Sequence, residues 1–199
     1  LMSIIKAKRF PYESFIFGWY LPEKFCDDVL KWHKHNTDLS KKGVCLDKNG
    51  KSGKNDSYKK STDKDFNVIT AFDLYKKYIK YLDEGMKAYT QTYPMFNFNH
   101  PIGDMEGVNF QHYKPNEGFK VWHAERLLLS KSARVMVFMT YLNNVNNGGT
   151  EFYHQNLKVN AEKGLTLLWP SDWTHSHRGV ITKKQHKYIL TGWLSYEGE

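Results

Sequence analysis

Apolar positions recur at two different spacings along this chain, and the change comes near residue 105. After Pro22, a residue suited to a first helical turn, Phe25, Val29, Leu30 and Trp32 fall at helical intervals. From residue 36 to 65 apolar residues thin out and Lys, Gly, Asn, Asp and Ser dominate, which predicts a long, mobile loop. Tyr75, Tyr78, Ile79, Leu82, Met86 and Tyr89 then form one stripe, predicting a second helix. Thr70 is its expected cap, with Asp73 three residues on and Pro94 past its end. Both helices read as structural supports.

From about residue 108 the pattern shortens into strands and turns. Val108–Tyr113, Phe119–Glu125, Arg134–Leu142, Thr150–Phe152, Gly164–Trp169, His175–Val180 and Lys187–Leu194 read as strands. Pro115 to Gly118 and Asn146 to Gly149 read as turns between them. Helices first and strands after predict a mainly β fold with supporting α-helices, in which the helices pack on one face of a roll of two sheets. The chain is read as one domain over 1–199, with helical support at about 21–93 and the roll at about 105–196.

Composition adds limits. Thirteen Tyr, twelve Phe and six Trp suit pleated, half-buried surfaces. No apolar run approaches the roughly 18 residues of a membrane span, and the first ten residues carry no secretion signal. Leu1 ahead of Met2 places the expected native start at Met2. Two cysteines make no disulfide framework, so a reducing cytoplasm is the expected setting. The net charge of +8 is uneven: between Lys31 and Lys64 ten lysines face four aspartates. That run reads first as a solvated loop, and alternatively as an arm that attracts an acidic substrate. Tyr58 is nearly its only aromatic, so nucleic-acid binding is disfavoured.

Most of the nine histidines read as structural. His33 and His35 are expected to be solvated, while His100, His112, His154 and His186 have no partner at metal-ligand spacing. Two clusters differ. On a strand, residues two apart share a face, so His123 and Glu125, after Trp122, would point together. By the same parity His175 and His177 share a face, and one of them could supply a third ligand. Two His and one carboxylate on one face of an octahedron form the site of non-haem Fe(II) oxygenases. Lys187 shares a strand face with Ile189, Thr191 and Trp193, an expensive place for a lysine unless an anion or water meets it.

Together these residues resemble the 2-oxoglutarate/Fe(II)-dependent dioxygenases, in particular the prolyl 4-hydroxylase-like group. The likeness runs from Tyr113 to Trp193, roughly the C-terminal half. The family carries a His-x-Asp or His-x-Glu pair, a distal His, and a Lys or Arg ten residues further. Ten residues before Lys187 is His177, so the resemblance implies His123, Glu125 and His177 as Fe(II) ligands. It implies that Lys187 and Tyr113 hold the far carboxylate of 2-oxoglutarate, with Thr191 and Trp193 lining the same pocket. Arg134, seven residues before Tyr141-Leu142-Asn143, matches an arginine that faces a peptide substrate. Trp122 and His175 are further candidate contacts, and His175 stays an alternative ligand. Gly148-Gly149-Thr150-Glu151-Phe152 is similar to the group's Gly-Gly-x-Thr-x-Phe turn, less one residue.

The implied fold is a double-stranded β-helix, or jelly roll. The implied reaction is hydroxylation of a C–H bond, first of all in a peptidyl proline, with ascorbate as an auxiliary reductant. Glu125, where most relatives have Asp, argues against halogenation. Another protein side chain, a free amino acid or an alkylated nucleobase remain alternative substrates, and a non-enzymatic metal-binding jelly roll remains an alternative class. The oligomeric state stays open.

Overall fold

The computed structural model describes residues 5–46, 52–96 and 102–196. Its elements are β1 (Ala7–Lys8), β2 (Phe17–Tyr20), α1 (Glu23–His35), β3 (Lys41–Lys42), β4 (Cys45–Leu46), β5 (Ser52–Gly53), β6 (Lys59–Lys60), β7 (Thr62–Phe66), α2 (Phe72–Thr92), β8 (Ile102–Tyr113), β9 (Gly118–Phe119), β10 (Arg134–Tyr141), β11 (Val145–Phe152), β12 (Leu157–Ala161), β13 (Leu165–Pro170), β14 (His177–Val180) and β15 (Lys187–Tyr196). Short 3-10 turns fill the gaps. An eight-stranded antiparallel sheet runs β1-β2-β13-β10-β15-β8-β7-β3. A three-stranded sheet, β12-β11-β14, lies against it. This is the expected mainly β jelly roll with helices on one sheet.

Alternation along the large sheet builds two separate cores. Val108, Phe110, Met136, Phe138, Leu168 and Leu190 point to one face and pack with Phe25, Val29, Tyr78, Leu82 and Tyr89 of α1 and α2. Each large apolar side chain buried there contributes roughly 1.5–3 kcal/mol. The alternate residues, Tyr113, Val137, Met139, Tyr141, Leu167, Trp169 and Ile189, point the other way, toward Phe152 and Val159 of the small sheet. Three hydroxyls in the helix-side layer satisfy one another: those of Tyr78, Thr140 and Thr166 lie 2.9 and 2.8 Å apart in a chain.

Several expectations need correction. The 36–65 stretch is not a free loop in its described part. β3 and β7 extend the large sheet, and β6 pairs with β9. Lys59, Ser61, Asp63 and Lys64 are buried because each finds a partner. Lys59 and Ser61 both bind Asp63, and Lys64 donates to the carbonyls of His33 and Asn36 at the end of α1. Thr70 does not cap α2; Asn67 binds the Thr70 main chain, and the Thr70 hydroxyl donates to Asp65 O. Phe119–Glu125 is a strand only at its start, with a single bridge later between His123 and His177. The Asn146–Gly149 turn is absorbed into β11 as a register shift, with Asn147 and Gly149 at φ 54° and 108°. Residues 173–175 form a 3-10 turn, so His175 does not share a strand face with His177.

Two histidine readings also change. His33 is half-buried against Phe110, and burial pushes its imidazole down to about 4. His112 does have a partner, since its Nε2 lies 2.7 Å from His186 Nδ1. His100 lies outside the described residues.

Candidate metal and cosubstrate site

The interior face of β15 and β8 carries the first half of the site. Lys187 pairs in register with Tyr113, and Thr191 with Asn109, so Lys187, Ile189, Thr191 and Trp193 point between the sheets. The second half comes from the irregular segment after β9 and from the first residue of β14. His123 and His177 exchange two main-chain hydrogen bonds, of 3.0 and 2.8 Å. That bridge brings their rings to 4.3 Å between centroids. Glu125 is placed by main-chain bonds instead of strand parity: its N–H and that of Arg126 both donate to Ser171 O, at 3.0 and 3.1 Å.

His123, Glu125 and His177 each present a ligand atom, and these atoms all lie within 4.8 Å of one another. Glu125 Oε1 is 3.4 Å from His123 Nε2 and 3.6 Å from His177 Nε2. Both rings are oriented by their own chain. His123 Nδ1–H donates to Val121 O at 3.0 Å, and His177 Nδ1–H to His175 O at 2.9 Å. A carbonyl only accepts, so Nδ1 carries the proton and the Nε2 lone pair is free to coordinate. Phe119 stacks on the His123 ring at 3.5 Å and 9°. Burial lowers the His177 imidazole. Burial works to raise Glu125, but the two imidazoles beside it prevail and hold it well below the usual carboxylate range. Neutral imidazoles and an ionised carboxylate are the forms that coordinate a metal. The donor set therefore fits a ferrous ion.

The three candidate ligands open on a cavity of about 250 Å³. Lys187, only 4% exposed, sits in its wall. Its Nζ reaches two carbonyls, Val180 O at 3.1 Å and Gly149 O at 3.4 Å, and lies 5.3 Å from the Tyr113 ring centre. No carboxylate pairs with it among the described residues, and burial pushes its amine down to about 8. Tyr113 is buried and its hydroxyl donates to Gln111 Oε1 at 2.6 Å. Thr191 donates to Phe138 O. The Trp193 indole N–H is buried without an acceptor.

Arg134 also lines this cavity. It stacks on Trp193 at 3.8 Å, forms a two-point pair with Glu106 at 2.9 and 2.8 Å, and reaches Glu125 Oε2 at 3.5 Å. Burial works to raise Glu106, but Arg134 holds its carboxyl down to about 2. Trp122 and His175 are elsewhere. Trp122 is 38% exposed, under the Arg178 guanidinium and beside Tyr153. His175 is buried, with Nε2 bound to Ser14 O at 2.8 Å.

Residues 108–195 match the family model described as the 2OG-Fe(II) oxygenase superfamily. The matched segment is the one that carries His123, Glu125, His177 and Lys187. No curated protein sequence matches this chain. Its fold is similar to solved prolyl hydroxylases. A Pseudomonas putida prolyl-4-hydroxylase is 15% identical, with 90% of each chain covered and a TM-score of 0.65. A viral collagen prolyl hydroxylase of Paramecium bursaria Chlorella virus-1, solved with 2OG, is 16% identical over 90% of this chain and 95% of its own, at 0.64. A Trichoplax adhaerens prolyl hydroxylase, solved with a hypoxia inducible factor peptide, is 15% identical over 92% and 84%, at 0.71. At such identities these likenesses concern the fold. No helix among the described residues is long and apolar enough to cross a membrane.

Several cavity residues were given no site role in the sequence. Gln111 and Tyr141 line the cavity, and Tyr141 binds Thr150 at 2.7 Å. Both sit on strand faces whose parity with Tyr113 and Met139 was readable. Val44, Cys45 and Lys59 line it as well, from the stretch expected to be loop.

Proposed function

We propose that this oxygenase hydroxylates a peptidyl proline, with His123, Glu125 and His177 as iron ligands and Lys187 as the anchor of 2-oxoglutarate. The observation that carries the reading is Lys187. A buried ammonium without a carboxylate is costly, and it stands in the same 250 Å³ cavity as the three metal-ligand side chains. A dicarboxylate that reached the metal at one end would bring its other carboxylate to this amine. Iron, when bound, couples oxidative decarboxylation of 2-oxoglutarate by O₂ to insertion of an oxygen atom into a C–H bond, releasing succinate and CO₂.

The chain's own residues do the rest. Lys187 and Tyr113 hold the distal carboxylate, with Thr191 and Trp193 bounding that pocket. The Trp193 N–H and Gln111 amide are further hydrogen-bonding groups at the same wall. Met139, Val137, Ile189 and Trp169 keep water away from the reacting centre. Arg134, braced by Glu106 and Trp193, faces the substrate side. Trp122 and His175 take no part in this assignment, since one lies outside the cavity and the other is bound to Ser14 O.

The test is succinate formation from 2-oxoglutarate with Fe(II), ascorbate as reductant, and a proline-rich peptide present or absent. Wild-type turnover should rise with peptide and disappear in His177→Ala. Peptide-independent turnover would retain the oxygenase and remove the peptidyl substrate. No turnover and no 2-oxoglutarate binding would leave a metal-binding jelly roll without catalysis.

A further inference from the structure

The Tyr113 hydroxyl, which the proposed anchor needs, is already engaged. Tyr113 and Gln111 stand two residues apart on β8, so they share a strand face, and both line the cavity. Their register partners on β15 are Lys187 and Ile189, which line it as well. The Tyr113 O–H donates to Gln111 Oε1 at 2.6 Å. Burial, with the Asp63 and Glu125 carboxylates near, raises Tyr113 well above the usual phenol range, so its proton stays on. A hydroxyl has one proton to give, and a carboxylate only accepts. While Gln111 takes that proton, Tyr113 has only lone pairs left to offer an anion at Lys187.

Gln111 can release the proton without losing the contact. Its amide carries an acceptor at one end and donors at the other, on one plane and of similar size. A half-turn brings Nε2–H to the Tyr113 oxygen and leaves the hydroxyl proton to swing away. No acceptor among the described residues holds Nε2 in place. Asp63, which pairs in register with Gln111, takes Lys59 and Ser61 instead, at 2.8 and 2.7 Å. The same two side chains can therefore meet in two ways, one suited to an empty pocket and one to a pocket that holds a carboxylate.

We infer that Gln111 is a positioning residue that sets the direction of the Tyr113 proton. It takes the proton when the pocket is empty and returns it, by turning its amide, when the distal carboxylate of the cosubstrate arrives. The inference rests on the proposed anchoring by Lys187 and Tyr113 and adds the group that directs it. It explains how a buried hydroxyl stays satisfied before the cosubstrate binds and is still available afterwards, since a buried donor without an acceptor is costly.

The experiment is calorimetric binding of 2-oxoglutarate to the Mn(II)-loaded full chain at neutral pH, without turnover. 2-Oxobutyrate serves as the second probe, because it offers a metal the same keto acid and has no distal carboxylate. The carboxylate introduced by Gln111→Glu accepts at both ends and cannot return the proton, so 2-oxoglutarate should bind about tenfold more weakly or worse. Gln111→Met has nearly the same length and no strong acceptor. The hydroxyl then has only the cosubstrate to bind, and affinity should rise by about threefold. 2-Oxobutyrate should respond to neither change. In a Tyr113→Phe background the gain from Gln111→Met should vanish, and the loss from Gln111→Glu should shrink to what its charge alone exerts on the anion. Losses of similar size in both variants, no response in either, or responses that persist unchanged in the Tyr113→Phe background overturn the inference and leave the anchor intact. If wild type binds 2-oxoglutarate no more tightly than 2-oxobutyrate, the anchor itself fails, and that failure shows before any variant is made.

Discussion

The large sheet buries a lysine on each of its faces, and the two are kept in opposite ways. On the helix side Lys64, fully buried, donates to His33 O at 2.7 Å and to Asn36 O. These are carbonyls at the end of α1, which have no helical partner and carry the negative end of the helix dipole. The lysine completes α1, and α1 completes the lysine. On the cavity side Lys187 has two longer carbonyl contacts, no carboxylate and an amine lowered to about 8. The first cation is finished by the fold. The second is left for something the fold does not contain, and unsatisfied charge marks the working face more clearly than burial does.

The sharpest break in the comparison is at the metal. Glu125→Ala or His177→Ala should weaken Mn(II) or Fe(II) binding more than about 100-fold, since loss of a ligand exceeds loss of its outer partners. Tyr78→Phe, on the helix face, should leave metal affinity unchanged in the same anaerobic titration. Equal losses would mean that the two faces are not independent.

Next is the lysine exchange. Lys64→Met should cost about 1–3 kcal/mol in urea unfolding, because buried carbonyls lose their donor, and should leave 2-oxoglutarate binding intact. Lys187→Met should be neutral or stabilising, and should weaken 2-oxoglutarate binding by about 2 kcal/mol or more by calorimetry. The contrast collapses if both variants lose stability alike.

The smallest effect is a pH dependence. Folding lowers the Lys187 pKa from 10.5 to about 8, so its burial penalty is full below pH 8 and is relieved as pH rises toward 10.5. Wild type should therefore gain stability on Lys187→Met across that window. Its 2-oxoglutarate affinity should fall as pH rises above about 8, because the neutral amine no longer holds a carboxylate. An affinity that is flat with pH would remove Lys187 as the anchor.

The sequence was most legible where one periodicity ruled. The face shared by Lys187, Ile189, Thr191 and Trp193 follows from alternation alone, and so does the α2 stripe. It was least legible where polar residues are buried in mutual pairs. Lys59, Ser61, Asp63 and Lys64 have the composition of a solvated loop, and only the fold shows that each is another's partner. Parity misplaced His175, because a 3-10 turn interrupts the strand ahead of His177. It brought His123 and Glu125 together for a reason that does not hold, since main-chain bonds to His177 and Ser171 aim them. Gln111 was hidden by type, being a polar residue without a metal-ligand signature, and Tyr141 was read only as part of the Tyr-Leu-Asn stretch after Arg134.

Both histidines of the candidate metal site anchor Nδ1 to the carbonyl two residues earlier in their own chain. Each ligand thus travels with its own lock, and the lock is made of backbone. No side-chain substitution can delete a main-chain carbonyl, so nearly every neighbour can be exchanged without releasing the wrong ring nitrogen to the metal. A centre assembled from such self-contained pieces tolerates extensive rewriting of its surroundings.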